Sequence, residues 1–401
     1  MKFNKWTLGL AALGVVSYAS AARADEAPKM SQVQTALSST TLSGYVDTSI
    51  QYNPTGSGSV APVAFNGPTK ANGFNLNVID IALDKPEDES PWASGYHVEL
   101  WFGPDASTLA TSLWNTTVAS SGLGTDFAIR QAYITLRTPV GNGIDWKIGV
   151  FDTVIGYESN SSPLNPNYTH SYGYTMEPTT HTGVLATYKV CDALTLVAGI
   201  ADSKGPVIND RTPQQNGASD SFKTYLGSVS LTAPSSWGWA SGAALTAGVV
   251  SGDYSNGAFG NDANTSWYVG GTLPTPNSNF KVGASFDYET DYQHPGFGGS
   301  GNPWAVALYA NLQATPKLSL NARAEWAKNY LGTIAGFAVP SEQNALALTG
   351  TIQYNLWANV LTRLEIRWDH ASNDIYGGTL SGGGTAQDNA VLIAAQAIYQ
   401  F

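Results

Sequence analysis

Across residues 361–370, LTRLEIRWDH, polar and apolar positions alternate without a break. Arg363, Glu365, Arg367 and Asp369 take the odd positions, and Leu364, Ile366 and Trp368 take the even ones. Successive side chains of a strand point to opposite faces, so the segment predicts a strand with one charged face and one greasy face. In a soluble sheet the greasy face would meet a core. In a membrane barrel it would meet lipid, and the charges would line the interior.

The same period of two recurs along nearly the whole chain and predicts strands at 41–53, 74–84, 92–103, 127–138, 144–151, 182–190, 194–201, 222–233, 239–251, 265–273, 280–290, 304–314, 318–329, 344–354, 360–370 and 389–401. Many are about ten residues long, the length a tilted strand needs to cross a bilayer. Seven connections are tight, at Lys85–Pro91, Pro139–Gly143, Cys191–Ala193, Pro234–Gly238, Pro274–Asn279, Thr315–Lys317 and Asn355–Asn359, and most contain Pro, Gly or Asn. The others are long and rich in Gly, Ser, Asn and Asp. Long and short alternate from end to end, which puts both termini on the short-turn side. The pattern predicts an all-β, transmembrane, antiparallel up-and-down barrel of about 16 strands, with short periplasmic turns and long outer loops. No repeat of fixed period points to a propeller or solenoid.

The two faces stay distinct from strand to strand. Tyr96, Val98, Leu100 and Phe102 oppose His97, Glu99 and Trp101; Ile144, Trp146, Ile148 and Val150 oppose Asp145, Lys147, Gly149 and Phe151. Val282, Ala284, Phe286 and Tyr288 oppose Gly283, Ser285, Asp287 and Glu289, and Leu318, Leu320, Ala322, Ala324 and Trp326 oppose Ser319, Asn321, Arg323 and Glu325. A lysine or arginine turned toward lipid costs about 2–4 kcal/mol at the midplane, so the charged rows are expected inside. The last strand, NAVLIAAQAIYQF, sets Val391, Ile393, Ala395, Ala397, Tyr399 and Phe401 on one face and ends in an aromatic, as terminal strands of bacterial outer-membrane barrels do. Its other face, with Leu392, Ala394 and Ile398, is also apolar.

Composition agrees. Charged residues are 12% of the chain, about half the share in a soluble domain, while glycine reaches 42 and aromatics 11%. Lys2 and Lys5, the apolar Leu8–Val16 run and Ala22-Arg23-Ala24 predict a signal peptide over 1–24, followed by a periplasmic leader over 25–40. Removing Lys2, Lys5 and Arg23 takes the net charge from −11 to −14, which argues against a nucleic-acid partner and suggests a mild cation preference in any pore. Cys191 is alone, so no internal disulfide can form.

Three stretches, IRQAYITLRTPVGNGIDWKIGVFDTVIGYE (129–158), NPNYTHSYGY (165–174) and HTGV (181–184), resemble the OmpL-like β-barrel porin family of Gram-negative outer membranes. The resemblance implies a general-porin-like barrel with passive solute passage and brings no particular substrate.

A barrel of this size is too wide for its own side chains to fill and should enclose water. The longest connection, about 152–181, is the natural constriction loop, carrying Asp152, Glu158, His170 and Glu177 with Tyr157, Tyr168, Tyr172 and Tyr174. Glu99, Lys147, Arg323, Glu325, Arg363, Glu365, Arg367 and Asp369 are the expected wall charges. Acids on the loop facing bases on the wall would impose a transverse field on polar solutes; the alternative is that these charges pair with neighbours as wall structure. Ala345, Ala347, Thr349 and Thr351 should face inward and leave room for long side chains. No catalytic, cofactor or metal site is expected: GxxxxGK[ST], HExxH, CxxC and GxSxG are absent, and the five histidines are far apart. The expected partners are outer-membrane lipid and lipopolysaccharide, small hydrophilic solutes and, by analogy with porins of this strand count, two further copies in a homotrimer. A sugar-specific channel, a plugged structural or adhesive barrel and an outer-membrane enzyme are the rival readings.

Overall fold

The structure, a computed structural model, describes residues 33–34, 40–56, 60–61, 63–111, 126–210, 212–213, 221–252, 264–290, 302–329, 344–374, 376 and 387–401. The expected signal peptide (1–24) and most of the expected leader lie outside the described residues. Val33–Gln34 of that leader pair antiparallel with Leu42 and Thr41.

Sixteen strands form the barrel: β1 (Thr41–Tyr52), β2 (Gly73–Lys85), β3 (Ser94–Phe102), β4 (Phe127–Thr138), β5 (Ile144–Asp152), β6 (Thr180–Cys191), β7 (Leu194–Ala201), β8 (Thr224–Thr232), β9 (Ala244–Gly252), β10 (Asn264–Pro274), β11 (Phe280–Thr290), β12 (Trp304–Gln313), β13 (Leu318–Lys328), β14 (Asn344–Trp357), β15 (Val360–Ala371) and β16 (Asn389–Gln400). Each pairs antiparallel with the next in sequence, and β16 returns to β1 with Ala395 opposite Ile50 and Tyr399 opposite Val46. Closure leaves no unpaired edge, the condition for a sheet to sit in lipid. Among the described residues no helix is long and apolar enough to cross a membrane; the strands do so.

Alternation fixes what each face meets. Leu364 and Ile366 are 52% and 55% exposed on the outside, whereas Arg363, Glu365, Arg367 and Asp369 are buried inside. Leu308, Leu320, Leu348 and Trp326 continue the outer apolar band. β16 behaves as its pattern requires, with Ile393 and Tyr399 outward and Leu392, Ala394 and Ile398 inside.

One boundary departs from expectation by more than three residues. The strand expected from residue 239 begins at Ala244, because Ser235–Ala240 form a 3-10 turn with Gly238 at φ 59°. Trp237 and Trp239 are therefore exposed turn residues and not strand residues, a place where amphipathic rings meet lipid headgroups.

The lumen is partly filled by three apolar clusters, all involving chain inserted from the connections. Tyr172 and Met176, with Ala61 and Val63, pack on Ala305, Ala327, Ala345, Ala347, Ala371 and Ala390 of the wall. Val154, Ile155 and Tyr157 pack on Leu185, Val197, Leu226 and Val250. The short helix α1 (Pro104–Leu109) places Ala106 and Leu109 against Trp101, Val78 and Ile398. Alanines on the inner wall are what make this insertion possible, since larger side chains there would overlap the inserted chain.

Candidate functional site

The connection between β5 and β6 folds into the lumen. Its two ends zip together through Thr153 N–H donating to Thr179 O at 3.0 Å. Gly156 turns the chain at φ 117°, and a Cβ there would lie 2.4 Å from Glu177 Oε2. Tyr157 fits because its partner position across the lumen, Gly283, has no side chain: a Cβ at Gly283 would meet the Tyr157 hydroxyl. Beyond it, Asn165 closes a turn by accepting from Ser159 N–H at 2.8 Å and donating to Ser159 O at 2.6 Å. The helix α2 (Tyr172–Met176) starts at Ser171, whose hydroxyl oxygen accepts from Tyr174 N–H at 3.1 Å, the usual way of satisfying a free N–H at a helix start.

The far wall, β13 to β15, holds this segment in place. Arg323 donates to Thr169 O at 2.7 Å and His170 O at 3.1 Å and pairs with Glu158 at 2.9 Å and Glu325 at 2.7 Å. Arg367 donates to His170 O at 2.8 Å, pairs with Asp369 at 2.7 Å and lies 5.1 Å from the Tyr172 ring centroid. Arg363 donates to Ser162 O at 3.2 Å, to Asn165 O and to Gln396. Glu365 accepts from Tyr168 N–H at 2.6 Å, Thr169 N–H at 2.9 Å and the Thr169 and Thr351 hydroxyls. Asp369 accepts from the Tyr172 hydroxyl at 2.6 Å, and Glu325 from Tyr172 N–H at 2.7 Å. The Arg323, Glu325, Arg367 and Asp369 side chains are 0–1% exposed. These wall charges thus touch the inserted segment directly and do not face it across water. Guanidinium groups suit the task, because their fixed fork of donors reaches two or more carbonyls at once. His170 lies 3.0 Å from Glu158 through Nδ1 and stacks on Tyr174 at 3.9 Å.

The opposite wall is the open side. Glu99 is bonded to Arg130, to Gln131 at 3.1 Å and to His97 at 3.3 Å, so it belongs to a wall network and is not freely solvated. Asp152 pairs with Arg130 at 2.8 Å and accepts from Asn160 at 3.1 Å. Lys147 sits over the Tyr133 ring at 4.6 Å. A cavity of about 270 Å³ runs between this wall and the segment, lined by Lys147, Asp152, Glu158 and Glu177 among others. A second, of about 470 Å³, continues toward the turn that carries Glu87 and Glu89.

The twelve charges singled out from sequence therefore divide. Arg323, Glu325, Arg363, Glu365, Arg367 and Asp369 surround the point where the segment is held, together with Glu158 and His170. Lys147, Asp152 and Glu177 line the open side, with Glu99 just behind it. Sequence reasoning missed Arg130. Strand β4 carries Arg130 and Gln131 inward as consecutive residues, because the pairing with β3 shifts register between Glu99 and Leu100. A strict period of two has no place for that. It also missed Lys204, which is 0% exposed and pairs with Glu289 at 3.1 Å. Among the described residues no group of His, Cys, Asp and Glu could hold a metal.

A family model described as putative beta-barrel porin-2, OmpL-like, matches residues 39–401. The chain belongs to the OmpL-like β-barrel porin family. The match spans the whole barrel, so the resemblance carried by residues 129–184 extends to every strand. No curated protein matches the sequence. Solved structures share the fold of this OmpL-like porin at low identity. OmpF of Salmonella typhi, in complex with daunomycin, has a TM-score of 0.58 at 12% identity, covering 92% of this chain and 100% of that one. An anion-selective porin from Comamonas acidovorans gives 0.56 at 12%, covering 90% and 99%. The trimer form of OmpT, an outer membrane protein of Vibrio cholerae, gives 0.55 at 13%, covering 90% and 99%. At these identities the likeness establishes the architecture of a porin-type outer-membrane barrel.

Proposed function

We propose that this OmpL-like porin lets small hydrophilic solutes and ions diffuse passively across the bacterial outer membrane. The observation that carries the reading is the asymmetry of the lumen. The inserted segment is tied to β13–β15, and the unoccupied volume lies along the opposite wall. Diffusion needs no bound cofactor and no catalytic group, only a route of polar, hydrated walls. The outer apolar band would contact acyl chains, and the outer loops lipopolysaccharide. A homotrimer is the proposed assembly, in line with the trimer form of the Vibrio cholerae neighbour, and residues 1–24 the proposed export signal. The constriction role is assigned to residues 152–181.

The test is conductance of the purified protein in a planar bilayer, with liposome swelling in sugars, salts and amino acids. Discrete current steps and swelling that falls off with solute size support diffusion. A plugged structural barrel is the second reading, favoured by the three apolar clusters inside the lumen, and it gives no current. Sugar stacking on the loop tyrosines has less support: Tyr157 is already stacked on Tyr309 at 4.1 Å, and Tyr172 and Tyr174 are buried.

A further inference from the structure

The two cavities of the open side share five lining residues, Asp84, His97, Tyr133, Lys147 and Thr187, which therefore form the neck between them. The charges at this neck are unequal in how far they are already satisfied. Asp84 is bonded to His97 Nδ1 at 3.1 Å. Asp152, lining the smaller cavity only, is held by Arg130 and Asn160. Lys147 differs: among the described residues its ammonium makes no hydrogen bond or ion pair, and its close partner is the face of Tyr133. The Tyr133 ring is in turn stacked on His97 at 5.3 Å.

Strand pairing places a second donor nearby. Lys147 is opposite Leu185 and Asp145 is opposite Thr187, so Thr187 is the diagonal neighbour of Lys147 on the lumen face. Diagonal positions on adjacent strands are within reach of a long side chain. The Thr187 hydroxyl has no partner among the described residues either. An ammonium and a hydroxyl with spare donors, beside an aromatic face, match a planar anion with a small organic body. The ammonium supplies the charge-assisted bond and the hydroxyl the second oxygen contact, while the ring, packed against both Lys147 and His97, holds the ammonium in place.

We propose that Lys147, backed by the Tyr133 ring and flanked by Thr187, is a carboxylate-binding subsite at the neck, and that it makes the channel favour small organic anions. The chain's net charge of −11 does not oppose this. Asp84, Glu99 and Asp152 nearby are matched with partners, and charges beyond about 8 Å are screened at physiological salt.

The inference rests on the diffusion reading and is tested by zero-current potentials of the full protein in planar bilayers under a potassium acetate gradient. A potassium chloride gradient serves as the second arm. Wild type should pass acetate more readily than potassium. Lys147→Gln should lower the acetate-to-potassium permeability ratio about fivefold, the scale of one unit charge at contact in a wet site. Lys147→Arg should retain the ratio and Lys147→Glu should invert it. The chloride ratio should move less than the acetate ratio. An unchanged acetate ratio in Lys147→Gln, with normal currents, overturns the subsite and leaves diffusion standing. Equal changes for chloride and acetate overturn the carboxylate assignment. Absence of current in wild type overturns diffusion and the subsite together.

Discussion

Arg323 Nη1 lies 2.9 Å from Glu158 Oε1, joining the far wall to the inserted segment with both side chains shielded from water. A pair so buried gains little over an apolar substitute, yet removing one partner strands the other charge. Arg323→Ala leaves Glu158 without its guanidinium partner and Glu325 with Arg367 alone, and should cost about 3–5 kcal/mol. Glu158→Gln, which keeps an acceptor, should cost less. Thermal unfolding in detergent measures both, and a smaller loss for Arg323→Ala than for Glu158→Gln would contradict the arrangement.

Glu365 gathers two backbone N–H groups of the segment and two hydroxyls on one carboxylate. Bonds to a charged acceptor contribute about 1.5–3 kcal/mol each. Glu365→Ala should therefore loosen the chain around Tyr168 and Thr169 while leaving the barrel closed. Limited proteolysis should cut within the segment in the variant and spare wild type, and single-channel current should become noisier. Identical digestion patterns would count against Glu365 as an anchor.

Ile366 is 55% exposed on the outer face, between Glu365 and Arg367 inside. Ile366→Arg should destabilise folding into lipid vesicles by about 2–4 kcal/mol. Ile366→Leu should be close to neutral. Equal folding yields for the arginine variant and wild type would show that this face is not bathed in lipid.

Glu87 lies in the turn between β2 and β3, at the rim of the larger cavity. Burial, reinforced by the negative charge of Asp145, pushes its carboxyl up to about 7. The folded pKa is raised, so the folded state keeps its proton at pH values where the unfolded chain, near 4.5, has lost it. Folding stability attributable to this group is therefore greatest below about 4.5 and falls as pH rises toward about 7. Raising pH from about 6 to about 8 also adds a negative charge at the mouth. The anion-to-cation permeability ratio should fall about twofold over that range, and Glu87→Gln should abolish that step. A step of the same size in the variant would assign it to another group.

The barrel was legible because lipid imposes a rule on every second residue. The alternation in LTRLEIRWDH fixes which side chains turn inward, and the Pro, Gly and Asn connections fix the order of strands. What lies inside obeys no such period. Glu365 meets Tyr168 and Thr169 across nearly two hundred residues of chain, through backbone N–H groups that every residue has. Nothing in the local sequence could distinguish an arginine that faces water from one that grips a carbonyl. Arg130 was missed for another physical reason: a register shift puts two neighbours on the same face. Trp239 misled because 3-10 turns and strands both accept bulky side chains beside a glycine.

Because the inserted chain is fastened to one flank, the water column is eccentric, a crescent bounded by strands on one side and by a polypeptide strap on the other. Circumference, set by how many strands close the cylinder, then says little about throughput. Two relatives with equal girth could differ greatly in flow if their straps were thicker or thinner by a few side chains. Evolution can retune such a conduit by editing one stretch of sequence and leave the lipid-facing shell untouched.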